Sequence, residues 1–116
     1  MPRFVILEHD HPQLHWDFML EAKEVLRTWK LDMPPQVGQT INAELSFDHR
    51  LIYLDYEGPL SNNRGSATRW DTGTFNWQND TKDHVLIDLK GNRCSGAVEL
   101  RRGSNDQWQA LFTAVQ

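Results

Sequence analysis

Chemically useful side chains are concentrated in a short polar segment near the amino terminus. His15 and Asp17 stand two residues apart in an alternating stretch, so on a β-strand both would project from the same face. His9 ends the apolar run before them, and a hairpin through Pro12 would fold it back towards the pair. Two imidazoles and one carboxylate suit Mn²⁺, Fe²⁺ or Zn²⁺ better than Ca²⁺ or Mg²⁺, which prefer all-oxygen ligands. The segment therefore predicts a divalent-metal site, and the solvated polar face of a surface strand is the structural alternative.

A second polar pair, His49 and Tyr53, lies four residues apart and would share a strand face if the chain stays extended between them. A histidine beside a metal-bound phosphate can donate a proton to a leaving oxygen or stabilise developing charge. A tyrosine hydroxyl can hydrogen-bond a phosphate oxygen, although packing in a strand is the alternative role for this residue. Of the other histidines, His11 is expected to be exposed in a turn and His84 to lie on the surface.

The elements that must position these residues are short strands separated by turn residues, without an amphipathic helix of three turns. Turns are expected at residues 48–50 and 71–73, and a polar loop at 58–65. The predicted strands cover residues 4–8, 14–21, 25–31, 41–47, 51–56, 68–71, 74–77, 85–89, 97–101 and 108–114. Many short strands in a chain of 116 residues predict a mainly β, single-domain fold over residues 1–116, a small closed or nearly closed barrel.

The net charge of −4 argues against a protein that coats nucleic acid by neutralising many phosphates. A metal site that captures one terminal phosphate needs no such excess of cations, because the ion supplies the local charge. No apolar run approaches the roughly 20 residues that cross a bilayer, so no membrane association is expected. The single cysteine, Cys94, favours a reducing compartment, the cytoplasm.

Several motifs in register resemble the 3′-phosphoesterase domain of bacterial DNA ligase D. The likeness covers most of residues 4–77 and weakens towards the end of the chain. The segments that carry it are FVILEH (4–9), LHWDFMLE (14–21), VLRTW (25–29), DHRLIY (48–53), YEG (56–58) and WDTGTF (70–75), which are similar to the family patterns FVxxxH, LHYDFRLE, GVLKSW, DHPLxY, FEG and WDxGTW.

The resemblance implies a small β-barrel with a manganese-dependent site, Zn²⁺ or another transition metal being the alternative, that resects 3′ ends in DNA repair. It implies metal ligation by His9, His15 and Asp17, and places His49 and Tyr53 beside the scissile phosphate. Family members remove a 3′-terminal ribonucleoside and then hydrolyse the remaining 3′-phosphate. The implied partners are nucleic acid 3′ ends, in a primer-template or nicked DNA. Since no ligase or polymerase domain flanks the segment, the expectation is action with separate ligase or polymerase repair proteins or by itself, as a monomer.

The sequence departs from the family at basic positions. Met19 stands where the family has an arginine, the family's turn lysine is lost at Met33, and a further basic residue is replaced at Ile41. A methionine cannot replace the bidentate contact and charge of a guanidinium. The residues expected to supply phosphate contacts instead are Arg50, Arg64 and Arg69.

Two other functions remain open on the sequence. The lost basic residues are compatible with a catalytically weakened or inactive relative that binds metal or strand ends without turnover. An H-x-D pair with a distant histidine is also the pattern of non-haem Fe(II) oxygenases, in which His49 or His84 would be the third ligand.

Overall fold

The computed structural model describes residues 2–114 as short strands and two 3₁₀ turns. The 3₁₀ turns are η1 (Leu51–Leu54) and η2 (Ser104–Asp106). The strands are β1 (Arg3–His9), β2 (His15–Ala22), β3 (Val25–Leu31), β4 (Thr40–Leu45), β5 (His49–Arg50), β6 (Gly58–Pro59), β7 (Ser66–Asp80), β8 (His84–Gly91), β9 (Ser95–Arg102) and β10 (Gln107–Phe112).

Eight of these strands form a closed antiparallel barrel, which confirms the predicted fold class. Their order around the barrel is β1-β2-β3-β4-β10-β9-β8-β7, and β7 pairs back with β1 to close the sheet. The two-residue strands β5 and β6 add to β3 and β7 outside this circuit. Closure pairs each strand of the circuit with two neighbours over at least part of its length, which is how a small all-β domain limits edge-to-edge association.

The barrel interior is filled by alternate residues of the strands. On β2, Trp16, Phe18 and Leu20 point inward, as the alternation of the sequence predicts, and meet side chains from the opposite wall. Leu14, expected on the same apolar face, instead precedes the strand and is 54% exposed.

A second apolar cluster lies outside the barrel, on the wall formed by β1, β2, β3 and the start of β7. Leu51 and Leu54 both pack against it, because residues three apart eclipse one another in a 3₁₀ turn. Its buried members are Val5, Leu7, Met19, Leu26, Leu54 and Ala67. The outer face of the barrel, to which Asp17 belongs, is therefore partly covered by η1 and is not fully exposed to solvent.

The strand predicted for residues 51–56 is wrong, because residues 51–54 form η1 and continue into a loop. The turn predicted at 48–50 is also wrong in part, since His49 and Arg50 pair with Leu26 and Val25 of β3. Short strand β5 followed at once by η1 carries the chain over the outer cluster, where the apolar residues of this segment are buried.

The turn predicted at residues 71–73 is wrong, because β7 runs through it without interruption. Gly73 serves close strand packing: a Cβ there would lie 2.0 Å from the carbonyl oxygen of Lys90. The Asp71 carboxylate accepts hydrogen bonds from the backbone N–H groups of Asn92 and Cys94, and so stabilises the neighbouring β8–β9 turn. In the part of the chain described here, no helix is long and apolar enough to cross a membrane.

Candidate metal centre

The β1–β2 hairpin brings together the residues predicted to bind metal. His9 and His15 are cross-strand partners, and Asp17 follows on the same face of β2. One ligand atom from each of the three residues lies within 4.8 Å of the other two. Asp17 is only 4% exposed, so its carboxylate faces the cluster and not bulk water.

Hydrogen bonding fixes the tautomer of His15. Its Nδ1 lies 2.8 Å from the carbonyl oxygen of Gln13, and because a carbonyl only accepts, Nδ1 must carry the hydrogen. The lone pair of the neutral ring is therefore on Nε2, which lies 3.1 Å from Oδ1 of Asp17. Both of these atoms are buried and have no hydrogen-bond partner.

His9 is oriented in the same way by a distant carbonyl. Its Nε2 donates to the backbone oxygen of Arg64 at 2.8 Å, which leaves the lone pair on Nδ1. That nitrogen lies 3.5 Å from Oδ2 of Asp17. A backbone carbonyl on the far nitrogen of a histidine is the usual outer-shell arrangement of metal ligands.

Two lone pairs thus converge on a buried carboxylate, an arrangement that needs a positive charge between them. A proton can serve, and Asp17 raises the pKa of His15 above its usual range by accepting that proton. A divalent cation satisfies all three groups at once, and the donor set suits Mn²⁺, Fe²⁺ or Zn²⁺. The residues present therefore fit a metal ion.

The loop that supplies the Arg64 carbonyl depends on Gly65. This glycine has φ +79°, and a Cβ on it would lie 2.2 Å from Oδ1 of Asp10 and 2.7 Å from Cβ of His11. The same Asp10 oxygen accepts from the backbone N–H of Ser66 at 2.8 Å. Only glycine allows the loop to approach the end of β1 this closely.

His49 and Tyr53 meet although they do not share a strand. Their rings stand edge to face with centroids 5.8 Å apart. Nδ1 of His49 lies 3.0 Å from the carbonyl oxygen of Phe47, so it carries the hydrogen, and it also reaches the Thr28 hydroxyl at 2.9 Å. Burial lowers the pKa of His49, which favours the neutral ring with a free lone pair on Nε2.

The three arginines expected to contact phosphate have different environments. Arg50 lies over the Tyr53 ring, with its guanidinium carbon 5.9 Å from the ring centroid. The Arg64 side chain is directed back to Ser61, and only its backbone carbonyl reaches the cluster. Arg69 is 3.7 Å from Glu57 in an ion pair. Of the three guanidinium groups, that of Arg50 is the one placed beside a predicted site residue.

Lys30 is a site residue that the sequence interpretation missed. It is the cross-strand partner of Asp17 on β3, so both side chains project from the same face of the barrel. Its positive charge opposes protonation of both His15 and His49, although burial has the larger effect on the pKa of His49 and the Asp17 hydrogen bond has the larger effect on that of His15. Among residues 2–114 no carboxylate forms an ion pair with it. It lines an open cleft of about 700 Å³ together with His15 and Leu45.

The positions of the lost basic residues explain why they are apolar here. Met19 is 1% exposed in the outer cluster, and Ile41 is fully buried inside the barrel. Met33 packs against the barrel core. A cation at position 41 could not reach the site, so that position does not correspond to a phosphate-binding residue in this fold.

The remaining histidines lie apart from the cluster. His11 is exposed in the β1–β2 connection, as predicted. His84 begins β8, where its ring bonds Asn79 and lies 2.7 Å from Glu99. Both of its nitrogens are occupied by protein, which argues for a structural role.

A closed antiparallel barrel with this three-residue cluster defines a class, the small β-barrel proteins with a candidate site for a divalent cation. The particular family follows from comparison with known protein families: residues 7–102 match the DNA Ligase D 3′-phosphoesterase domain. The chain belongs to this family, which confirms the resemblance found in its motifs.

Relatives carry the same segment within longer proteins. The chain is 33% identical over 116 residues to the multifunctional non-homologous end joining DNA repair protein LigD of Mycobacterium tuberculosis, a match that covers 92% of this chain and 15% of that protein. It is 29% identical over 120 residues to the Pseudomonas aeruginosa protein LigD, covering 91% of this chain and 14% of the relative. The chain thus spans about one seventh of the length of these relatives.

Proposed function

We propose that this protein is a metal-dependent phosphoesterase that processes the 3′ ends of nucleic acid strands in end-joining DNA repair. Its reactions would be removal of a 3′-terminal ribonucleoside and hydrolysis of a 3′-phosphate. The observation that carries the proposal is the pair of carbonyl-oriented imidazoles whose lone pairs face the buried Asp17 carboxylate. Family membership supplies the reaction class.

The proposed metal ligands are Nδ1 of His9, Nε2 of His15 and the Asp17 carboxylate, with Mn²⁺ as the preferred ion. When bound, such an ion supplies Lewis acidity to a phosphoryl oxygen and neutralises developing charge. The role of the three residues is to hold that charge at one end of the barrel, at the outer face of the β1–β2 hairpin.

Neutral His49 would act on the attacking water. With its Nδ1 hydrogen directed to Phe47 O and Thr28 Oγ1, the ring presents the Nε2 lone pair as an acceptor. A water held there is oriented and can transfer a proton to the ring as it attacks phosphorus; the P–O bond to the leaving oxygen breaks, and that oxygen takes a proton from solvent. The lowered pKa of His49 supports this base role over donation to the leaving group.

Positive charge for the phosphate would come from Lys30 and Arg50. Lys30 flanks Asp17 on the next strand, and Arg50 lies over Tyr53. None of the hydrogen bonds found in residues 2–114 uses the Tyr53 hydroxyl, which leaves it to donate to a phosphate oxygen. These groups would contact the phosphate in place of the arginine and lysine that the family pattern has at Met19 and Met33.

The proposal is tested with Mn²⁺ and two primer-templates, one ending in a single ribonucleotide and one in a 3′-phosphate. Wild-type protein is expected to shorten the first and to convert the second to a 3′-hydroxyl. His15→Ala and Asp17→Asn should abolish both reactions and lower Mn²⁺ affinity, whereas His84→Ala, an imidazole outside the cluster, should leave both intact. Folded, Mn²⁺-loaded wild-type protein that processes neither end would refute the proposal.

A catalytically weakened or inactive relative is the second candidate, favoured by the apolar burial of Met19 where the family has arginine. It predicts end binding with the affinity of an enzyme but without turnover. Of the two third ligands suggested for the Fe(II) oxygenase alternative, His84 is bonded through both ring nitrogens to Glu99 and Asn79, whereas His49 keeps a free lone pair on Nε2. Family membership gives that alternative no support.

Nucleic acid 3′ ends are the proposed partners. The proposed form is a cytoplasmic monomer. Sedimentation of the Mn²⁺-loaded protein tests the oligomeric state directly.

A further inference from the structure

Phe47 is an exposed aromatic side chain beside the proposed catalytic histidine. It is 71% exposed, yet its ring stacks on His49 with centroids 4.5 Å apart and an interplanar angle of 14°. A parallel stack covers one face of the ring only. The high exposure of the residue means that the opposite face is open to solvent.

The backbone around Phe47 is held in place on both sides. The N–H of Ser46 donates to the carbonyl oxygen of Thr28 at 2.9 Å. The carbonyl of Phe47 accepts from Nδ1 of His49 at 3.0 Å. These bonds position the backbone of Phe47, and the stack on His49 orients its ring.

We propose that the open face of Phe47 stacks against the nucleobase of the 3′-terminal nucleotide. This inference rests on the proposed function for the nature of the ligand. His49 packs on the opposite face of the Phe47 ring, so the sugar and phosphate of a base stacked there would pass the edge of that ring to reach His49. The stack would thus hold the end of the strand in register with the reacting groups.

The charge of the protein favours this kind of contact. With a net charge of −4, the chain has few cations to spare for the phosphates of a strand. Stacking of a base on an aromatic ring provides affinity that is independent of charge and tolerant of sequence. An end-processing protein that must accept any terminal base needs this tolerance.

The test measures affinity by fluorescence anisotropy on two all-DNA primer-templates with 3′-hydroxyl ends, which the proposed reactions leave uncut. The two differ only in the last residue, which carries a normal base in one and an abasic tetrahydrofuran in the other. The variants are Phe47→Leu, which keeps apolar bulk without a π face, and Phe47→Trp, which keeps the ring. Val37→Ala is the control, since Val37 is also exposed, at 63%, but lines a different cavity.

Stacking predicts that Phe47→Leu weakens binding of the base-bearing end about 5-fold or more and that of the abasic end less than about 2-fold. Phe47→Trp should retain the wild-type preference for the base, and Val37→Ala should change neither affinity. Equal losses on both ends would mean that Phe47 acts only through His49 and would overturn the inference. An unchanged affinity of Phe47→Leu for both ends would also overturn the inference. This holds even if the substitution dissociates a dimer, because Phe47 would then serve a contact between two copies of the chain.

Binding and turnover are scored separately. If wild-type protein prefers the base-bearing end but processes no 3′ terminus with Mn²⁺, the stacking inference stands and the enzymatic proposal fails. If it processes ends without any preference for a terminal base, the enzymatic proposal stands and the stacking inference is overturned.

Discussion

Replacing Gly65 with alanine should weaken metal binding without touching a metal ligand. The new Cβ would lie 2.7 Å from Cβ of His11, where ordinary contacts begin near 3.4 Å. Even if the Asp10 carboxylate, whose Oδ1 lies 2.2 Å from that Cβ, rotates away, the loop must retreat from β1 by about 0.7 Å to relieve the His11 contact. That displacement would stretch the 2.8 Å bond between His9 Nε2 and the Arg64 carbonyl to about 3.5 Å, beyond a useful hydrogen bond.

Loss of such an outer-shell contact typically costs 10- to 100-fold in metal affinity, or about 1.4–2.7 kcal/mol. Mn²⁺ affinity is measured by titration calorimetry or by the electron paramagnetic resonance signal of free Mn²⁺. Gly38→Ala provides a matched control, because Gly38 has φ +80° against +79° for Gly65 but has nothing within 4 Å of the position that a Cβ would take. Both variants carry the same left-handed backbone strain, of about 1–2 kcal/mol, and only Gly65→Ala adds the clash.

The expected result is a drop in Mn²⁺ affinity of at least about 10-fold for Gly65→Ala and little change for Gly38→Ala. An unchanged Mn²⁺ affinity of folded Gly65→Ala would refute the claim that the Arg64 carbonyl orients His9. A comparable loss in both would assign the effect to backbone strain alone.

Three further predictions concern single side chains. Lys30→Met should lower kcat/KM for a 3′-phosphate end about 10-fold or more with unchanged Mn²⁺ affinity, whereas Lys90→Met, at an exposed lysine, should leave kcat/KM unchanged. Equal kcat/KM values for Lys30→Met and wild-type protein would exclude Lys30 from phosphate binding. Met19→Arg should lower the free energy of unfolding by about 3 kcal/mol rather than restore a phosphate contact, because it buries a charge in the outer apolar cluster. Denaturant unfolding measures this change, and an unchanged midpoint would contradict the prediction. Burial and the Asp71 carboxylate raise the pKa of Cys94 to about 11. Iodoacetamide should therefore alkylate the folded protein at pH 8 on the order of 100-fold more slowly than the unfolded chain. Alkylation of both at equal rates would show that the thiol is exposed.

The hairpin that carries the candidate site is well determined by local sequence. The strand predicted for residues 25–31 has the bounds found for β3, and the alternating residues 14–21 predict β2 to within one residue at each end. Apolar and polar residues alternate cleanly there, and a period of two assigns each side chain to a face. This is why the sequence alone could place His15 and Asp17 together.

Lys30 was within reach of the same reasoning but needed the strand register. Ala22 pairs with Val25 across a two-residue turn, and this pairing sets Lys30 opposite Asp17. Lys23 in this turn has φ +61°, a left-handed conformation that is uncommon for lysine and is not predicted from the sequence. Without the turn type, the partner of Asp17 on β3 stays undetermined.

Other features depend on distant parts of the chain. Leu51 and Leu54 are apolar in either a strand or a 3₁₀ turn, and only the presence of the outer cluster selects the turn. Asp71 and Gly73 have the composition of a turn, but their side-chain and packing partners belong to the neighbouring β8–β9 connection. Composition indicates that such residues have a special role and leaves open which segment they serve.

The carbonyl that orients His9 comes from a residue 55 positions later in the chain, across the seam where β7 meets β1. That seam is the last pairing in the circuit of strands, the one that turns a curved sheet into a cylinder. An ion held by His9 would therefore be thermodynamically linked to ring closure, because a cylinder opened at this seam would lose the ligand orientation that favours the ion. Cofactor loading and completion of the fold would then reinforce each other through a single imidazole.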